Sequence, residues 1–488
     1  MTRQKVTVTV RGAGGKLSTV ERTLYGSRYG PVLATGWTTT TAFAIRDTNA
    51  DNLRSMNEWL AMGTSRNIAQ LRAAQDTYQG IPFTNTIAVD ASGTAYFADA
   101  SVVPHVTDAH AARCIDTAQG KALYPETFVL DGSRSACNWG NDPGAVQRGI
   151  FAPSHVPQLT RTDYVANSND SPWLTNPAAP ITGYPAIFGD TGTERELRSR
   201  LGLDMIAQRL AGTDGLGRPG FTLPTLQATM LGNRNFSAEL GRSDVVAMCR
   251  AHPVLTASDG TWVDVRAACD ILASWDGRAD VDSGGEELWE TFFRDTWWLV
   301  PFNPAHPLTT PRAIDANDPE VQRALADAAQ FLQSNHTARS AKRRAGITLP
   351  GCPAEKGCFN VIEATGPTGP QIGPETGPPP RRTGPETSPQ TGPPPSQTAP
   401  PPGARHQRPG AKPPATSIHG SSFIMAVELT PHGPRARTIL TYSQSANPAS
   451  PHYSDQTVLF SHKQWVTERF TEAEINADPH LQATTLHG

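Results

Sequence analysis

From about Gly366 to Pro414 the chain consists almost wholly of Pro, Gly, Thr, Ser and Gln, with loose repeats of Thr-Gly-Pro. What flanks that stretch restricts the fold more than any other feature. It has too little apolar surface to offset the entropy of ordering it. A disordered or polyproline-like spacer is therefore expected. Strict Gly-X-Y periodicity is missing, which excludes collagen, and an SH3-type ligand is the other reading of the prolines. Beyond the stretch, Phe423, Met425, Val427 and Leu429 alternate with Ile424, Ala426 and Glu428. A turn at Pro431 to Pro434 then leads to a second strand, Thr438 to Tyr442. A hairpin this small is not stable alone. It is expected to join the sheet opened by Val6 to Val32, which makes the spacer an insertion within one domain. The division that follows is a core over 1–350, a Cys-containing segment and linker over 351–418, and a hairpin and tail over 419–488 completing the same domain.

The start reads as β-structure. Val6, Val8 and Val10 alternate with Thr7 and Thr9, the period of a half-buried strand, and Thr23 to Val32 continues it after a glycine turn. Asn52 is placed to cap a helix on which Leu53, Met56 and Leu60 share a face. A second helix runs from Ser65, with Ile68 and Leu71 inward. Thr86 to Val89 and Ala95 to Ala98, around Ser92-Gly93, read as a hairpin. Glu194 to Leu210, Arg234 to Leu240, Val265 to Trp275 and Val321 to Leu332 read as helices. Strands, then helices, then strands favour an α+β or layered α/β fold over a repeat array.

Hydrophobic residues at 38% and charged residues at 18% suit a globular chain that buries a core. The formal net charge of −3 offers nothing that would draw it to nucleic acid or an anionic membrane. No apolar run approaches the ~20 residues of a membrane helix, and Met1 to Val10 has no signal-peptide core. Pairing the six cysteines as neighbours along the chain would close three local loops: Cys114–Cys137, Cys249–Cys269 and Cys352–Cys358. Bridges there would imply an oxidising compartment; six buried thiols are the alternative.

Generic catalytic motifs are missing: no His-Glu-x-x-His, no Walker A lysine and no Gly-x-Ser-x-Gly elbow occurs. Gly215 to Gly220 matches Gly-x-Gly-x-x-Gly, but it follows a helix and contains Pro219, so it reads as a loop. His105 and His110 are too isolated for a metal site, no Cys-x-x-Cys supports zinc, and no cofactor is expected. Lys342, Arg343 and Arg344 read as a solvated helix end. Trp139, Trp173, Trp262, Trp289, Trp297 and Trp298 line an apolar pocket or pack the core.

An ordered set of segments carries more. These are Arg22-Thr-Leu-Tyr-Gly-Ser-Arg-Tyr-Gly-Pro-Val32; Ile81-Pro82 through Asn85; Asp90 to Gly93; Tyr96 to Asp99; and Tyr164-Val-Ala-Asn-Ser-Asn-Asp-Ser-Pro172. Glu194 to Leu203, Leu226-Gln227, Asn233 to Asn235 and Cys249 to Asp276 follow, and then His419 to Phe423, Tyr442 to Ser445 and Pro451 to Thr457. Together they resemble the β chain of the penicillin acylase family, in the branch of acyl-homoserine-lactone and aculeacin-type acylases. The resemblance runs from about residue 5 to the end, apart from the linker, and Tyr29 stands where the family's strand carries His.

The resemblance implies an N-terminal-nucleophile hydrolase with an αββα sandwich, here partial and interrupted by the insertion. It implies a self-cleaving precursor whose new N-terminal Ser attacks an amide, with its own α-amine as base. The oxyanion is held by an Asn amide and a backbone N–H. Aligned on the Asn-x-Asn segment, Asn169 is the donor and Asn167 the fallback, with Arg198 or Arg195 as the residue that positions it. Ordinary turn formation is the bland reading of Asn167, Asn169 and Asp170. The family's Ser-Asn start and its α chain match nothing here; Thr2 abuts a strand and is a poor substitute. The expectation is an acylase acting on an acylated small-molecule amide, exported, and inactive until a separate α chain and the first part of the β chain are supplied. A non-catalytic remnant or binding paralogue is the alternative, and a secreted structural protein is a weaker one.

Overall fold

The computed structural model describes residues 1–12, 15–115, 120, 127–280, 283–294, 302–334, 347–348, 415–416, 421–447 and 449–485. Lys342 to Arg344, Trp297, Trp298, Cys352, Cys358 and the Pro/Gly-rich stretch lie outside these residues. Two compact units are present, Met1–Thr191 and Gly192–Gly488.

In the first unit, β1 (Thr2–Arg11), β2 (Leu17–Ser27) and β3 (Gly30–Pro31) form an antiparallel sheet in chain order. The strands form where the valine-threonine alternation predicts them, with Val8 opposite Val20. The half-buried expectation fails, however: Val8, Val10, Leu17 and Leu24 are all exposed. Burial grows only toward the end of β2, where Tyr25 packs on Trp37 at 5.1 Å. Helices α1 (Ser55–Gly63) and α2 (Ile68–Tyr78) pack together. Asn67, rather than Ser65, caps α2 by accepting from the N–H of Gln70. The expected hairpin is present as β4 (Thr86–Val89) and β5 (Ala95–Ala98), with Gly93 at φ 83° supplying the turn. β5 also pairs with β6 (Gln158–Arg161), placing Phe97 between Ile87 and Leu159. Ile68 of α2 packs on Tyr96 and Ala98 in one buried cluster of this unit. A disulfide ties α3 (Asp108–Cys114) to Cys137, with Cα atoms 5.3 Å apart.

The second unit is helical with small sheets. Its helices are α4 (Leu197–Ala211), α5 (Leu223–Met230), α6 (Phe236–Ala251), α7 (Arg266–Ser274), α8 (Glu286–Arg294) and α9 (Pro319–Ser334). Val245, Cys249, Leu272, Trp289, Phe292, Val321 and Leu325 from α6 to α9 fill one core. β7 (Val254–Thr256) and β8 (Trp262–Asp264) form a hairpin beside it. The second expected disulfide joins Cys249 and Cys269, Cα atoms 6.0 Å apart, across α6 and α7. Trp289 is a core residue whose indole N–H donates to Ser237 Oγ at 2.8 Å, while Trp262 is 80% exposed. The Gly215 to Gly220 stretch is a loop, whose Gly217 and Arg218 carbonyls accept from the buried Arg209.

Two short strands, β9 (Ile347–Thr348) and β10 (Ala415–Thr416), pair in parallel, so the chain returns beside the point it left. β11 (Phe423–Thr430) and β12 (Gly433–Leu440) are the expected C-terminal hairpin. They do not join the sheet of β1 and β2. The free edge of β12 takes β13 (Val466–Glu468) instead. Ile424 and Ile439 bury against Leu231 and against Phe460 of α10 (Asp455–Ser461). The partners that make the hairpin stable are thus β13, α10 and the distant Leu231, all within the second unit.

Candidate active site

Strand β6 delivers the chain into the Asn-x-Asn loop. Arg161 grips Asp163 with two parallel hydrogen bonds, 2.8 and 2.7 Å. That pairing holds the Asp163 carboxyl far below the ordinary range, helped by the Tyr164 N–H and the Asn176 amide. The fully buried Asn176 also donates to Tyr164 O, and Ala166 N–H donates to Thr175 O, so the loop is closed across its base.

At its tip, Asn167 forms an Asx turn. Its Oδ1 accepts from Asn169 N–H at 2.8 Å and from Asn85 Nδ2 at 3.3 Å, while its own Nδ2 donates to Asp170 O at 2.9 Å. Asn169 sits in the left-handed region at φ 58° with an exposed side chain. Non-glycine residues held there by surrounding bonds cluster at functional sites. Ser171 closes the far side, donating to Asp190 O at 2.6 Å and lying 3.0 Å from the Tyr184 hydroxyl.

Tyr184 also lines a cleft of about 450 Å³ with His105, Phe151 and His155. Here His155 Nδ1 meets the buried Asp142 carboxylate at 2.6 Å. Burial alone would raise Asp142, but bonds from Ala152 N–H, His155 and Gly144 N–H leave it below its usual value. The His105 ring lies tilted by 39° against Phe151, centroids 4.5 Å apart, and His110 is buried on α3. Among the described residues no group of three or more metal-ligating side chains forms.

The predicted arginines begin the second unit. Arg195 is 5% exposed and donates to the backbone oxygen and hydroxyl of Thr193. Arg198 stands in the first turn of α4, half-exposed, 3.6 Å from Glu196. Further along, Arg200 is buried and donates to Leu308 O and Pro311 O, a positioning task for that loop. Burial draws its guanidinium down to about 10. Asn167 and Asn169 are thus joined in one turn of the first unit, and Arg195 and Arg198 lie three residues apart in the second.

One feature of the first unit escaped the sequence reading. On α1, Met56, Trp59 and Leu60 face solvent at 70, 52 and 68% exposure, while Glu58 is completely buried. Leu53 before the helix and Phe83 after the Gly80 turn are exposed as well. Asn52, expected as the cap of α1, instead donates to Gly80 O and Asn49 Oδ1, and Arg54 occupies the cap position. Phe83 lies two residues before Asn85, whose amide reaches Asn167. The signal was a Glu inside an apolar helical stripe.

The sequence profile of the penicillin amidase family matches residues 1–477. The chain belongs to the penicillin amidase family. Among its curated relatives, aculeacin-A acylase of Actinoplanes utahensis is 44% identical over 98% of this chain and 57% of its own length. Acyl-homoserine lactone acylase PvdQ of Pseudomonas putida is 32% identical over 100% of this chain and 57% of its own. The chain therefore spans little more than half of the curated relatives it matches. Among solved structures, a thermostable penicillin G acylase from Alcaligenes faecalis superposes with a TM-score of 0.53 at 15% identity. It covers 100% of this chain and 82% of that one. The fold is accordingly that of the penicillin amidase family, α+β and N-terminal-nucleophile-hydrolase-like. No helix among the described residues is long and apolar enough to cross a membrane.

Proposed function

We propose that this chain carries the oxyanion-holding and acyl-binding part of an amidase that releases an acyl chain from a linear amide. The relatives named above are acylases of aculeacin A and of acyl-homoserine lactones, and an acyl amide of that general kind is the substrate class. The observation that carries the reading is the conformation of Asn169. Asn167 directs its amide N–H inward to Asp170 O, whereas Asn169 is set on the exposed crest of the turn. That favours Asn169 over Asn167 as the donor to the tetrahedral oxyanion. A neutral amide N–H₂ suits this task because it donates strongly and does not lose its proton. Arg198 or Arg195 is the positioning residue of the pair. The apolar surface of Met56, Trp59, Leu60 and Phe83 seats the acyl chain.

The nucleophile lies outside the matched segments. It is an N-terminal Ser supplied with the α chain and the first part of the β chain. Its hydroxyl attacks the carbonyl carbon, its α-amine takes the proton, and the amine leaves with that proton as the acyl-enzyme forms. The return of the chain through β9 and β10 supports 351–418 as an insertion, with 419–488 completing the unit that begins at Gly192. The two disulfides support an exported, oxidising location.

Deacylation of N-acyl amides, measured for the 488-residue chain with and without the complementary polypeptide, tests this. The chain alone is expected to be nearly inert and the complemented protein active. Asn169→Ala in the complemented protein is expected to lower kcat by roughly 10²–10³-fold. An unchanged kcat in that variant removes Asn169 from the oxyanion hole. Robust deacylation by the chain alone removes the external nucleophile.

A further inference from the structure

The buried face of α1 carries a carboxylate that bonds the backbone of a distant turn. Glu58 is 0% exposed on a helix whose apolar residues point outward. Its Oε2 accepts from Gly80 N–H in a short hydrogen bond, and Ile81 N–H also bonds to the carboxylate. Its Oε1 has no hydrogen-bond partner. The neighbouring Arg54 turns away to the Tyr78 and Gln79 carbonyls at 3.0 and 3.1 Å. The segment it holds is otherwise fully tied. Gly80 O accepts from Asn52, Ile81 O from Val102 N–H, and Pro82 O from Asn49. Gly80 lies so close to α1 that a Cβ there would stand 2.8 Å from Arg54 C and Ser55 N. Together with Arg54 at the cap, Glu58 ties α1 to the turn leading to Phe83, and it alone of the two bonds the Gly80 N–H. A half-satisfied buried carboxylate is costly, and local rules are broken in this way chiefly where function demands it.

We propose that Glu58 is a specificity-positioning residue: it sets the separation between Trp59 and Leu60 on α1 and Phe83 beyond the turn, and thereby the length of acyl chain the surface accepts. The proposal rests on the reading of that surface as the acyl seat. Glu58 itself touches no substrate.

Two measurements on the 488-residue chain test it separately from that reading. The first is hydrogen exchange at the Gly80 and Ile81 amides. Glu58→Ala and Glu58→Asp are expected to exchange about tenfold faster there than the wild type, and Glu58→Gln, which keeps the reach, less than that. Unchanged exchange in both shortened variants overturns the tie between helix and turn. The second is displacement of a fluorescent fatty-acyl probe by a graded series of N-alkanoyl amides. The wild type and Glu58→Gln are expected to prefer the same length, while Glu58→Asp shifts or flattens the preference by about threefold or more. Equal weakening at every length in Glu58→Asp assigns Glu58 a merely structural role and overturns the proposal. Absence of probe binding by the wild type sinks the acyl-seat reading, and the assignment of specificity with it, while the exchange data still decide the tie. Should Glu58→Ala not fold, Glu58→Asp carries both measurements.

Discussion

Helices α8 and α1 are each nine residues long and each carries a cluster of large apolar side chains, yet they place those clusters oppositely. On α8, Leu288, Trp289, Phe292 and Phe293 are all at most 5% exposed and pack against α6, α7 and α9. On α1, Met56, Trp59 and Leu60 are more than half exposed and the inward residue is Glu58. Spacing of three and four puts residues on one face of a helix in both cases. What that face meets depends on layers that the helix's own sequence does not specify. An apolar face turned outward marks a surface made to meet something.

The largest effect that tests this contrast is on the α8 side. Trp289→Ala removes a ring packed between Phe292 and Phe293 and the hydrogen bond to Ser237. It is expected to cost about 3–5 kcal/mol, read as a lowered urea midpoint. A loss below about 1 kcal/mol would mean that this core collapses around the gap. Replacing Cys249 and Cys269 together by Ala opens the closed loop between α6 and α7 and is expected to cost about 2–4 kcal/mol by the same measurement.

The α1 side gives a smaller and pH-dependent effect of opposite sign. Burial raises Glu58 from its ordinary 4.5 to about 7, against the hydrogen bonds from Gly80 and Ile81, which lower it. The folded state therefore holds the proton more tightly than the unfolded state. Below the unfolded value both states are protonated and nothing is lost. As pH rises from about 4.5 through about 7, ionisation proceeds more readily in the unfolded chain and stability falls. Glu58→Gln is expected to remove that slope, standing roughly 1–3 kcal/mol above the wild type at pH 8 and level with it near pH 4. Parallel stability curves for the two proteins across that window would refute the buried-acid assignment. The smallest effect is the most telling about orientation. Leu60→Ser exchanges an exposed apolar side chain for a polar one and is expected to change stability by no more than about 0.5 kcal/mol. A loss comparable to that of Trp289→Ala would show that Leu60 is covered in solution.

Much of the fold was legible. Val6, Val8 and Val10 with their threonines predicted β1, and Ser92-Gly93 predicted the β4–β5 turn. Neighbour pairing of cysteines anticipated both bridges among the described residues. The segment Tyr164 to Pro172, set among the other ordered matches, pointed to the family and to the Asn-x-Asn loop. Short-range signals of this kind survive because turns, caps and pairing act over a few residues. The exposure of β1 and β2 and the pairing of β12 with β13 were not legible, because a strand's own residues specify neither what covers its face nor which strand takes its edge.

The division is sharpest at the site itself. The sequence determined that Asn167, Asn169 and Asp170 would form a turn, since Asn and Asp bond their own backbone two or three residues on. Tertiary structure decided the different settings of the two asparagines, because Asn85 comes from a distant segment to share Asn167 Oδ1 while Asn169 is left on the crest. In the same way the sequence determined a helix at 55–63, but only the approach of Gly80 and Ile81, with backbone N–H groups that needed an acceptor, decided that Glu58 would be its buried residue and Trp59 its exposed one.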